Sequence, residues 1–143
     1  MNDICYKPKY FKVKELVSPE HYDLLGEGAL SLFHPHTLRM LDSLRQAYGK
    51  SITINNYAKG YRESGLRHLT TKTGALRSAH KKAYAFDLKA YNMNSLRAFL
   101  KERSQDFFIS RIENFDKTKG KNQDWCHIEI STELVEKTKY FNP

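Results

Sequence analysis

The chain has 143 residues, 40% hydrophobic and 28% charged, with 24 lysines and arginines against 16 acidic residues, a formal net charge of +8. That length supports one domain with a real core, and the balance of apolar and charged residues excludes a disordered chain. Its apolar runs, Ala29-Leu30 and Leu32-Phe33 among them, are all far too short to span a bilayer, which excludes a membrane-spanning helix.

Residues 1–17 read MNDICYKPKYFKVKELV, with lysines where a secretory leader would need an apolar stretch. Cytoplasmic synthesis without a signal peptide is therefore expected. Cys5 and Cys126 lie at opposite ends of the chain and lack metal-binding spacing; free thiols are expected rather than a disulfide. A basic protein is drawn to polyanions: nucleic acid, anionic lipid or an anionic wall polymer. The basic residues spread along the whole length instead of forming an arm or helix stripe, so charge alone selects none of them.

In chain order, Ser18-Pro19-Glu20 predicts a helix start, with Ser as N-cap and Pro in the first turn, and Gly26 predicts its stop. From His36 to Tyr48, Leu38, Leu41, Leu44 and Tyr48 recur at helical steps before Gly49. Ser51–Ile54 reads as a short strand. Asn56–Ala79 has no clear period, and a connection that long is usually functional or mobile. Tyr84–Leu88 reads as a strand. Asn94–Arg103 reads as a helix that buries Leu96, Phe99 and Leu100. Phe107–Ile112 and Trp125–Ile130 read as two more strands. Without repeats or a linker, residues 1–143 form a single domain. The element order predicts an α+β fold: a small, mainly antiparallel sheet with helices packed on one face.

Strand alternation places Trp125, His127 and Glu129 on one face and Cys126, Ile128 and Ile130 on the core face. Cys126 and His127 therefore point apart, which argues against a thiol nucleophile activated by that histidine. His80, Asp87 and His127 are two imidazoles and a carboxylate, a set that holds zinc and leaves a position open for water. Asp124 and Glu129 flank His127 as candidate proton acceptors. Spacing alone leaves an ordinary surface or core role open for each. His21, His34, His36 and His68 have no partner at ligand spacing and read as structural or surface residues. Tyr84, Phe86 and Trp125 read as core. Arg111 and Glu113 share a strand face and could form a pair beside the site.

Ser78-Ala79-His80-Lys81-Lys82-Ala83-Tyr84-Ala85-Phe86-Asp87 resembles the Ser-x-His-x-x-Gly-x-Ala-x-Asp motif of the M15 peptidases. That family contains zinc D-Ala-D-Ala carboxypeptidases and small phage endolysins. Trp125-Cys126-His127 resembles the segment carrying its second histidine, and Ser64-Gly65-Leu66-Arg67 its Ser-Gly-Tyr-Arg segment. The likeness runs from about Lys12 to Ser131, in family order. It implies an M15-like fold of the hedgehog/DD-peptidase type, Zn2+ held by His80, Asp87 and His127, and substrate contacts from Arg67 and Ser78. It puts the catalytic carboxylate at Asp124, where the family commonly has Glu. Glu129, on the His127 face, is the second candidate. The motif glycine is Ala83, a strained residue if that position needs a positive φ.

The function implied is zinc-dependent hydrolysis of peptide bonds in peptidoglycan stem peptides, by a phage or prophage enzyme. Such an enzyme would be made in the host cytoplasm and act at the cell wall or periplasm, free or in contact with other virion proteins. Neither membrane insertion nor a specific nucleic acid is expected. Two other classes compete: an inactive phage structural or wall-binding protein that keeps the fold, and a nucleic-acid-binding module suggested by the charge alone.

Overall fold

In the computed structural model, residues 6–67 and 82–143 are described. Among these residues four α-helices and four strands alternate with short 3-10 turns. α1 (Val13–Leu16) is a single turn that buries Val13 and Leu16. α2 (Pro19–Leu25) starts as the sequence predicts, with the Ser18 hydroxyl accepting from the His21 amide; it stops at Gly26, φ 56°. α3 (Pro35–Tyr48) starts one residue before the apolar period does. The His34 ring accepts the His36 amide at 3.1 Å, and Pro35 occupies the first turn. Gly49, φ 76°, ends it. α4 (Met93–Arg103) is capped by Asn92, whose side chain accepts from the Ser95 amide. Among the described residues no helix is long and apolar enough to cross a membrane.

The strands are β1 (Ala85–Leu88), β2 (Ile109–Glu113), β3 (Cys126–Ile130) and β4 (Lys139–Phe141), in the order β1-β3-β2-β4. β3 runs antiparallel to both neighbours, whereas β4 lies parallel to β2. The sheet is therefore mixed: two antiparallel pairings and a parallel edge that sequence reading missed. Two other expectations need correction. Ser51–Ile54 makes no strand; only Thr53 pairs with Lys89, through hydrogen bonds of 2.7 and 2.8 Å. Phe107 and Phe108 belong to a turn, where Phe108 takes φ 56°, so β2 begins at Ile109 and runs on to Glu113.

One sheet face is apolar. Ile128 lies between Phe86 and Ile112 in register, and all three join one core cluster with Leu38, Leu41, Leu44, Leu96 and Leu100. Phe33 stacks on Phe86 at 5.9 Å. An irregularity between Ile109 and Arg111 breaks the two-residue alternation. As a result Ile109 and Ile112 are both fully buried, while Arg111 pairs with Glu129 on the opposite face. That opposite face carries the polar residues: Asp87 beside His127, and Arg111 beside Glu129.

The segment before β1 is pinned to the core. Leu66 bridges to Val17, and its amide donates to the Leu16 carbonyl at 2.7 Å. A side chain on Gly65 would overlap that carbonyl, so this glycine is required by a close backbone approach. Gly65→Ala is expected to lower stability by roughly 2 kcal/mol, read as a reduced urea midpoint. An unchanged midpoint would show that the segment shifts freely.

Candidate functional site

The site is built on the polar face by cross-strand pairing. Asp87 and His127 are register partners, and their side chains meet, His127 Nδ1 to Asp87 Oδ1 at 3.0 Å. The other ring nitrogen, Nε2, lies 3.0 Å from Oε2 of Glu129, two residues along the same strand and so on the same face. The imidazole is thus held between two carboxylates, all three residues being less than a tenth exposed. Two arginines complete the cluster. Arg67 Nη2 reaches Asp87 Oδ2 at 3.4 Å while its Nε donates to the Glu63 carbonyl at 2.6 Å. Arg111 Nη1 reaches Glu129 Oε1 at 3.4 Å, with its guanidinium 4.0 Å over the Phe141 ring. Phe141 also sets its ring edge-on to His127, at 5.7 Å.

Burial opposes charge on His127, but the hydrogen bonds and charges of Asp87 and Glu129 outweigh it and raise the imidazole to about 9. Glu113, at the end of β2, is felt by the same cluster: burial pushes its carboxyl up, His127 draws it down, and Asp87 and Glu129 raise it further. Sequence reading placed Glu113 beside the site and left its role open. Lys89 was missed. Its ammonium donates to Ser64 Oγ at 2.7 Å and to the Asp87 carbonyl at 3.2 Å. Burial lowers it to about 8, with the Asp87 charge opposing. With the bond from the Asp87 amide to the Ser64 carbonyl, 2.7 Å, Lys89 ties the Ser64–Arg67 segment to β1. No motif spacing marks it; the available signal was an odd-numbered lysine following a buried strand.

The predicted residues fall into three groups. Asp87, His127, Glu129 and Arg67 come together. Asp124 is held elsewhere, at 2.9 Å from Arg97 of α4 and accepting from the Gly120 amide at 3.2 Å; the Arg97 hydrogen bond keeps its carboxyl below the usual range. It therefore closes the turn that contains Gly120. His80 and Ser78 lie outside the described residues, as does His68. Cys126 is a buried free thiol on the core face, pushed up to about 12 by burial, in keeping with its expected inertness.

Ala83 takes φ 64°, the left-handed region that favours glycine. Clefts open at both ends of the cluster. One of about 480 Å³ is lined by Ala83, Lys82, His34, Arg111 and Glu129; another of about 270 Å³ is lined by Tyr61, Ser64, Arg67 and Asp87. Asp87 Oδ1 and His127 Nδ1 are an oxygen and a nitrogen donor side by side, a pair suited to zinc. Among the described residues no three His, Cys, Asp or Glu side chains form a complete metal site; the expected third ligand is His80.

Two predictions follow from this geometry. A histidine raised from 6.5 to about 9 on folding contributes stability that is present below about pH 6.5 and lost as pH climbs through 9. In chelator, the stability difference between wild type and His127→Gln should shrink across that window; a constant difference would refute the two-carboxylate cradle. Ala83→Gly should raise stability by about 1 kcal/mol by removing the left-handed strain, and a lower melting temperature would contradict it. Compared with known proteins, the chain matches no family model, no curated protein and no solved structure.

Proposed function

We propose that the chain is a zinc-dependent peptidase acting on stem peptides of bacterial cell wall, in the manner of the M15 family that its motifs resemble. The observation that carries this reading is the meeting of Asp87, His127 and Arg67. They come from three separate motif segments, yet the Asp87 carboxylate meets both of the others, Arg67 at 3.4 Å and His127 at 3.0 Å. The left-handed Ala83 adds support, because it stands where the motif has glycine.

Asp87 and His127, with His80, would hold the metal. Bound zinc supplies an acidified water and polarises the scissile carbonyl. Glu129 accepts from Nε2–H of His127 and so fixes the ring with Nδ1 facing Asp87, an orienting role in place of the proton transfer first considered for it. Arg67 lines the smaller cleft beside Asp87, where its guanidinium suits a substrate carbonyl or carboxylate. Asp124 is the proton acceptor implied by the resemblance; against this, Arg97 and the Gly120 amide hold its carboxylate apart from the cluster and lower its basicity. Glu113 is the alternative acceptor, because burial raises its affinity for a proton and the charges of Asp87 and Glu129 add to that, against the opposing pull of His127. The net positive charge favours approach to an anionic envelope.

The test is release of new amino termini from purified peptidoglycan. Wild type should cut. Asp87→Asn should lose all detectable cutting, and Asp124→Asn should slow it by roughly a hundredfold or more, with Glu113→Gln affected less. A reversed order would move the base to Glu113. A wild type that binds zinc and releases nothing would identify a non-catalytic wall-binding relative.

A further inference from the structure

The segment from Tyr6 to Lys14 places exposed lysines at 7, 9, 12 and 14, with buried Pro8, Phe11 and Val13 between them. Folding turns this run into a ridge. Asp42 of α3 accepts from the Tyr6 hydroxyl at 2.6 Å and from the Lys9 and Tyr10 amides at 2.7 and 3.1 Å, which locks the segment against α3. The four lysines line a groove of about 700 Å³, and Lys12 and Lys14 also line a neighbouring cleft of about 410 Å³. Arg39 and Arg45 of α3 lie over the Tyr6 and Tyr10 rings, each at 5.1 Å, and add cationic groups along the same side.

Glu15 and Glu27 line the same groove, so its four ammonium groups outnumber its carboxylates by two. Asp42 is committed to the three donors above, and Glu15 accepts the Lys12 amide at 2.7 Å. Among the described residues no carboxylate forms an ion pair with Lys7, Lys9, Lys12 or Lys14. Four ammonium groups outside any ion pair, with Arg39 and Arg45 beside them, leave a local cationic excess that the even spread of charge along the sequence conceals.

The surroundings narrow the partner. Tyr10 is covered by Arg45, and Tyr22 carries Lys14 at 4.8 Å, so these rings are engaged by the chain's own cations rather than offered for stacking against bases. The apolar residues of the groove, Phe11, Val13 and Leu30, are at most 5% exposed and offer nothing to insert among lipid tails. Lysine ammoniums act as point charges that follow separated phosphates without a fixed fork geometry. We propose that the Lys7–Lys14 ridge is a docking surface for a linear phosphodiester polymer that carries no bases. This rests on the ridge alone, and stands whether or not the His127 cluster holds zinc.

The test measures binding of a synthetic poly(glycerol phosphate) oligomer to the full chain across a salt series. The variant Lys7→Gln/Lys9→Gln/Lys12→Gln/Lys14→Gln is compared with Lys101→Gln/Lys119→Gln/Lys121→Gln/Lys137→Gln, which loses the same charge elsewhere. Thermal melting checks that both fold, and the single Lys9→Gln and Lys12→Gln variants replace the first if it does not. The ridge variant should bind at least tenfold more weakly with a shallower salt dependence, each single variant about two- to threefold more weakly, and the control variant within threefold of wild type. Equal losses in both quadruple variants would overturn the proposal in favour of diffuse net charge. Tighter binding of single-stranded DNA with the same number of phosphates, or of phosphatidylglycerol vesicles, would overturn the assigned partner.

Discussion

A nearly buried imidazole clamped between two carboxylates organises this molecule. A charge withdrawn from water is tolerated only when partners replace the lost solvation, and His127 has partners on both ring nitrogens. Each constraint then passes to a neighbour. Asp87 must face His127 across the β1–β3 pairing, which sets that register. Glu129 must follow two residues later on the same strand. Their remaining oxygens are met by Arg67 and Arg111, which recruits the segment before β1 and the outer strand β2. Removing either carboxylate would leave its arginine and the imidazole short of a partner in a water-poor setting, so the cluster behaves as a unit.

The sheet separates stability from chemistry by its two faces. Phe86, Ile128 and Ile112 face the helices and hold the strands in place, and the residues between them point into the polar cluster. The irregularity after Ile109 preserves this division on β2, keeping Ile109 in the core while delivering Arg111 to Glu129. Two backbone features serve the same end outside the strands. Gly65 allows the Arg67 segment to lie against Leu16, and Ala83 turns the chain into β1 through a conformation that alanine adopts at a cost.

Much of this was legible because the signals were local. Ser18-Pro19, Gly26 and Gly49 mark helix ends by backbone chemistry, and Leu96 and Leu100 mark a buried stripe by spacing. The alternation of Cys126, Ile128 and Ile130 with His127 and Glu129 gave the two sheet faces directly. What escaped depends on long-range pairing. Lys139–Phe141 is a short, largely exposed edge strand whose identity comes only from lying beside β2. Ser51–Ile54 has strand-like residues but meets a partner only at Thr53. Within the candidate site, Asp87, His127 and Glu129 were readable as a group. Lys89 and the pairing of Asp124 with Arg97 were not, since both depend on which distant residue folding brings alongside.

The most direct test of the central claim is zinc stoichiometry by equilibrium dialysis for the wild type, with Asp87→Asn and His127→Gln as controls checked for folding. The proposed account predicts one zinc per chain for the wild type and at least a tenfold loss of affinity in each variant. Undiminished zinc binding by both variants, or none by a folded wild type, would contradict the assignment of Asp87 and His127 as ligands.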